Sequence, residues 1–130
     1  FDIEKSQKHK NKYDLIILEH VLEHVSNPVG SLINIFNLLN NGGRLILVTP
    51  FLIKIHSAPN DYTRWTMNGI KLLLEEVGFK DENIKIDQWG NKSAVIRNLD
   101  KWIKYNPLIH SLKNQKEFPT VVWAFAKKTL

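Results

Sequence analysis

The clearest signal along the chain is an alternation of short apolar runs with amphipathic stretches. Tyr13-Asp14-Leu15-Ile16-Ile17-Leu18 is nearly continuous in apolar residues, the pattern of a strand covered on both faces. A helix is expected after it. Asn27 suits an N-cap, Pro28 suits the first helical position, and Val29, Leu32, Ile33, Phe36 and Leu39 recur at three- and four-residue intervals until Asn41-Gly42-Gly43 stops the helix. Arg44 to Thr49 is a second buried-strand run, closed by Pro50. Thr66 can cap a second helix with Ile70, Leu73, Leu74 and Val77 on one stripe and Gly78 at its stop. Ile84 to Trp89 alternates apolar with polar residues, and Thr120 to Ala126 is β-branched and aromatic, which predicts two further strands. Between them, residues 90 to 119 carry weaker helical stripes at Leu99, Trp102 and Ile103 and at Leu108, Ile109 and Leu112, interrupted by Pro107. This stretch reads as an insertion.

The order strand, helix, strand, helix, strand, insertion, strand predicts an α/β domain with about four strands, mainly parallel, the last one antiparallel because no clear crossover helix leads into it. In such sheets chemistry gathers beyond the carboxyl ends of the strands. That directs attention to residues 18 to 26, 50 to 65 and 89 to 97.

Composition narrows the class. The 130 residues, 43% of them apolar, suit one domain rather than two. No apolar run approaches the roughly 20 residues of a membrane-spanning helix, and the lysines near the start lack the apolar stretch of a signal peptide. With no cysteine at all, disulfides and thiolate zinc sites are excluded, and a soluble, cytoplasmic protein is expected. The net charge of +5 is concentrated late: residues 91 to 118 hold six basic groups against two acidic ones, and Lys127 and Lys128 follow. Dispersed lysines of this kind serve a solvated face, so no nucleic-acid partner is expected.

Several of these segments together resemble the class I S-adenosylmethionine-dependent methyltransferases. The block from Tyr13 through Leu18-Glu19-His20-Val21-Leu22-Glu23-His24-Val25, a helix, and then Leu38-Leu39-Asn40-Asn41-Gly42-Gly43 running into Arg44–Pro50 is similar to that family's fourth strand, following helix and fifth strand. Thr66 to Phe79, ending Glu75-Glu76-Val77-Gly78-Phe79, is similar to its later helix. The resemblance covers about residues 1 to 89 and the last strand. It implies a Rossmann-like methyltransferase fold, here partial, and S-adenosylmethionine as cofactor. It further implies that Asp2, 12 positions before Asp14, accepts a hydrogen bond from the adenine amino group, with Ile3 offering a backbone N–H. Glu19 and His20 would flank the methionine end of the cofactor. The family's glycine-rich loop after a first strand has no counterpart: all six glycines fall in or beside elements already assigned. The chain is therefore expected to be the C-terminal part of a methyltransferase, to bind the cofactor weakly alone, and to pair with a second copy through the strand edge left open at residues 13 to 18.

The loop Pro50 to Thr66 carries the densest chemistry: His56, Asn60, Asp61, Tyr62, Arg64 and Trp65. His-x-x-Pro-x-Asp-Tyr-x-Arg loops of this type occur, by resemblance, in methyltransferases that modify polysaccharides or small molecules. His56 or Asp61 could take the proton of an acceptor hydroxyl, His24, Tyr62 and Trp65 could wall a substrate pocket, and Arg64 could hold an anionic substrate. A structural account competes, in which Arg64 pairs with Asp61 and Trp65 enters the core. No metal is required. Two readings of other classes stand beside this one. One is a noncatalytic binding or dimerisation module. The other is a zinc hydrolase in which His20, Glu23 and His24 match an H-x-x-E-H pattern, with barely one helical turn to present them and no third ligand evident downstream.

Overall fold

The computed structural model describes residues 2–5, 12–57 and 59–129. Phe1, the lysine-rich segment 6–11, Ala58 of the His56 loop and Leu130 lie outside the described residues. Four strands, β1 (Tyr13–Glu19), β2 (Leu39–Pro50), β3 (Ile84–Trp89) and β4 (Val121–Lys127), form one sheet in the order β1-β2-β4-β3. β1 and β2 are parallel, in register from Leu15↔Arg44 to Glu19↔Val48, while β4 runs antiparallel to both β2 and β3. The sheet is therefore the mainly parallel one expected, with the last strand reversed.

Helix α1 (Pro28–Leu38) begins where its cap predicts, with the Asn27 side chain accepting the Gly30 N–H at 2.9 Å. Glu4 reinforces that end by accepting the Ser26 and Asn27 N–H groups and the Ser26 hydroxyl. Helix α2 (Met67–Glu76) is capped by Thr66, which accepts the Gly69 N–H. Both helices pack on the same face of the sheet. Leu32, Ile35, Ile70, Leu73 and Leu74 meet Leu18, Leu45, Leu47, Val122 and Ala124 in one buried cluster. Each fully buried leucine there contributes about 1.5–3 kcal/mol.

Four expectations change in detail. The strand at 13 to 18 was expected to be covered on both faces, but Leu15 and Ile17 are 50% and 57% exposed, because α1 and α2 cover only the face to which Leu18 points. The glycine pair does not stop α1. Leu39 is already extended, and Asn40–Gly43 belong to an irregular start of β2, where Gly42 takes φ +81° and the pairing register slips between Tyr13 and Leu15. In the insertion the helix is α3 (Lys92–Asn98), upstream of both predicted stripes. Asn98 and Asn106 side chains accept the Ile103 and Leu108 N–H groups, and His110 accepts the Asn106 N–H, so side chains take over the backbone donors that a helix would use. Lys128, grouped by sequence with the solvated lysines, is buried, and its Nζ donates to the Phe36 and Leu39 carbonyls at the C-terminus of α1.

Candidate active site

The carboxyl end of β1 turns sharply. His20 sits at φ +51°, an unusual conformation for a residue with a Cβ, and its N–H is held by the Val48 carbonyl at 3.0 Å. A single 3₁₀ turn, Leu22–His24, follows and buries Leu22 and Glu23 completely. This places an ionisable carboxylate under the end of the sheet. Neither Glu23 carboxylate oxygen has a hydrogen-bond partner among the described residues. Three imidazoles surround one of them instead: His24 Nε2 at 3.5 Å, His20 Nδ1 at 3.6 Å and His56 Nε2 at 3.8 Å from Oε1.

The 51–66 loop folds back over that turn. Tyr62 N–H donates to the Glu23 carbonyl at 2.8 Å, and the Asn60 carbonyl accepts from His24 Nδ1 at 2.6 Å. A carbonyl can only accept, so that nitrogen carries the proton. Asp61 is the buried anchor of the loop. It accepts the His56 N–H at 2.9 Å and both terminal nitrogens of Arg64, one of them at 2.6 Å. The Arg64 guanidinium holds the Asp61 carboxyl down at about 2, helped by the His56 N–H. His56 Nδ1 lies 3.3 Å from Asp61 Oδ2, within ion-pair range. The His24 and His56 rings meet edge to face with centroids 5.0 Å apart.

A cavity of about 490 Å³ opens beside this cluster. His20, Pro50 and His56 form one wall, and Trp89, Arg97, Trp102, Tyr105 and His110 are among the residues of the other. The insertion thus contributes most of the lining. Its side is fastened by polar side chains: Asn91 caps α3 and donates to the Ser111 and Lys113 carbonyls, and Trp89 Nε1 donates to Leu112 O.

Of the residues singled out by sequence, the structure gathers His20, His24 and His56 around one carboxylate and sets Asp61 behind His56. His24, Tyr62, Arg64 and Trp65, expected to face a substrate, do not line the cavity. Arg64 pairs with Asp61, and Trp65 packs against the core with its Nε1 donating to Thr63 Oγ1. Sequence reasoning passed over Glu23 as the centre of the cluster and His56 as its third nitrogen. The pairing of a 3₁₀ turn with a loop 32 residues on has no local signature.

Of the residues that the resemblance assigns to the cofactor, His20 belongs to this cluster and Asp2, Ile3 and Glu19 lie outside it. Asp2 is exposed; its carboxylate pairs with Lys5 at 3.1 Å, accepts the Glu4 N–H, and is held below the usual range, mainly by Lys5. The Ile3 carbonyl accepts from Asn34, fixing this segment on α1. Glu19 is exposed at the end of β1. Their chemistry fits the two ends of S-adenosylmethionine, with the Asp2 carboxylate suited to an amino donor such as that of adenine and the Glu19 carboxylate to a cationic amino or sulfonium group. Among the described helices, none is long and apolar enough to cross a membrane.

The fold is that of the Rossmann-like class I methyltransferases. A family model described as a methyltransferase domain matches residues 1–76, and the chain belongs to that family. No curated protein matches the chain by sequence. Among solved structures it is similar to a SAM-dependent methyltransferase from Archaeoglobus fulgidus, at TM-score 0.59 and 17% identity over 92% of this chain and 61% of that one. It is also similar to an S-adenosylmethionine-dependent methyltransferase from Mesorhizobium loti, at TM-score 0.65 and 15% identity over 98% and 68%. A third is phosphoethanolamine N-methyltransferase 2 of Haemonchus contortus in complex with S-adenosyl-L-methionine, at TM-score 0.64 and 12% identity over 99% and 36%. The chain thus spans about 60% of the first of these and about a third of the last.

Proposed function

We propose that this chain supplies the acceptor side of an S-adenosylmethionine-dependent methyltransferase that acts on a hydroxyl of a small molecule or saccharide. The carrying observation is the cluster of Glu23, His24 and His56, which reaches the cavity through His56. When bound, the cofactor supplies an electrophilic methyl group on a sulfonium. The chain itself has to align the acceptor and remove its proton.

His56 is the group for that step. Its Nδ1 lies 3.3 Å from Asp61 and its Nε2 3.8 Å from Glu23, and the residue lines the cavity. Asp61 positions it: a carboxylate already saturated by Arg64 and held at about 2 is a poor base near neutral pH. Trp89, Trp102 and Tyr105 offer flat apolar faces to an acceptor ring, and Arg97 offers a cation. Asp2, Ile3, Glu19 and His20 are the candidate cofactor contacts in the chain. The absence of cysteine fits a cytoplasmic setting.

The test is methyl transfer from labelled S-adenosylmethionine to a panel of saccharides and small hydroxyl compounds, by the enzyme that contains this chain. His56→Ala is expected to lower turnover about 10²–10⁴-fold, while Leu72→Ala on the exposed face of α2 leaves it unchanged. Transfer at full rate by the His56 variant would refute the assignment. Calorimetry of the 130-residue chain alone should show cofactor binding weaker than micromolar.

A further inference from the structure

We propose that Glu23, His24 and His56 form a site for a divalent first-row metal ion, of the zinc, cobalt or manganese type. One ligand atom from each lies within 4.8 Å of the other two. The nearest contacts, 3.5 Å and 3.8 Å from Glu23 Oε1 to His24 Nε2 and His56 Nε2, are too long for charge-assisted hydrogen bonds, which close to about 2.7–2.9 Å. They come close to the edge of a tetrahedron whose centre binds nitrogen and oxygen at about 2.0–2.2 Å, where ligand atoms stand about 3.4 Å apart.

The outer nitrogens make the case stronger. His24 Nδ1 donates to the Asn60 carbonyl, and His56 Nδ1 faces the Asp61 carboxylate. The Asn60 carbonyl holds the proton of His24 on Nδ1 and turns its Nε2 lone pair inward, the outer arrangement typical of metal-bound histidine, while the buried His56 Nδ1 makes no hydrogen bond among the described residues. The His24 Nε2 lone pair and the His56 Nε2 then face a fully buried carboxylate whose oxygens make no hydrogen bond among the described residues. A cation between them satisfies the carboxylate and both nitrogens. His20 Nδ1 faces the same carboxylate from the mouth of the cavity, outside the group of three.

Three protein ligands leave a fourth position open, and one of the three, His56, lines the cavity. The use of that position on the acceptor hydroxyl rests on the methyl-transfer reading; the site does not. With the ion bound, His56 would serve as a ligand, and the cation would lower the pKa of a bound acceptor hydroxyl so that its proton could pass to solvent water instead of to His56 Nε2.

The experiment is titration of chelator-treated protein with Co²⁺, read by its visible absorption bands and by calorimetry, and repeated with Zn²⁺. One ion per chain is expected, at micromolar affinity or tighter. Glu23→Gln and His56→Ala should each weaken it by about tenfold or more, with far-UV circular dichroism like the parent. If Glu23→Gln fails to fold, His24→Asn and His56→Asn carry the comparison from partly exposed positions. Absence of stoichiometric binding, or binding unchanged in the folded variants, overturns the proposal. Methyl transfer is not part of this readout, so its failure leaves the proposed function and the direct base role of His56 standing.

Discussion

Asp61 is where one side chain holds the loop that carries His56. With its side chain 2% exposed and two Arg64 nitrogens on its oxygens, its folded-state value of about 2 lies below the ordinary 3.8. The sign follows from linkage. The unfolded chain takes up the proton first as pH falls, so the contribution is complete above about pH 4 and is lost as pH drops through about 2. Its size is about 2 kcal/mol. Urea unfolding followed from pH 5 to pH 2 should show this loss, and Asp61→Asn should be less stable at pH 5 by a similar amount, with a flatter profile below pH 4. A parallel decline in both proteins would show that other carboxylates govern the acid limb. At this scale the sequence disclosed the actors of the loop and left their partners open. His56 stood out because it lies in a run crowded with polar and aromatic groups. Glu23 was visible only as part of an H-x-x-E-H pattern and not as a buried group, since nothing local distinguishes a glutamate that a 3₁₀ turn buries from one left in water. Lys128 was hidden for the same reason: its burial depends on carbonyls about 90 positions away.

Among the elements, the junction between β3 and α3 has the tightest fit. A Cβ on Gly90 would stand 2.2 Å from the Phe118 carbonyl oxygen and 2.4 Å from the Thr120 nitrogen, and both are backbone atoms that the adjoining β3–β4 pairing fixes in place. Gly90→Ala should therefore destabilise the chain by about 3 kcal/mol and loosen the cavity wall that the insertion supplies, measured as an earlier thermal transition together with faster hydrogen exchange over residues 110–120. A normal melting curve for that variant would mean the return segment can shift at little cost. Elements with a strong local code were legible: both long helices start at the caps read from Asn27 and Thr66, and β3 spans the residues its alternation predicts. The insertion was not, because its apolar stripes never find a face to cover. Leu108 is 90% exposed, and asparagine and histidine side chains, rather than helical periodicity, determine the path of the chain there.

For the whole molecule, the imbalance between the two faces of the sheet matters most. α1 and α2 bury one face, while on the other Ile17 and Phe125, which flank Ile46 on neighbouring strands, remain about half exposed. Among the described residues β1 is also an edge strand with an unpaired side, and Leu15 adds a further exposed apolar side chain to it. An apolar edge with free backbone donors and acceptors favours strand addition, and a second copy of the same strand related by a two-fold axis can satisfy both copies at once. Covering apolar area of this kind contributes about 25 cal/mol per Å². The 130-residue chain is therefore expected to run as a dimer in light scattering at high concentration and to dissociate on dilution. Ile17→Lys, which puts a charge on the open face without touching the core or the Glu23 cluster, should shift it to monomer while leaving the helical circular dichroism unchanged. A parent chain that stays monomeric at every concentration would show that the edge is protected by its own twist and by the lysine at its start.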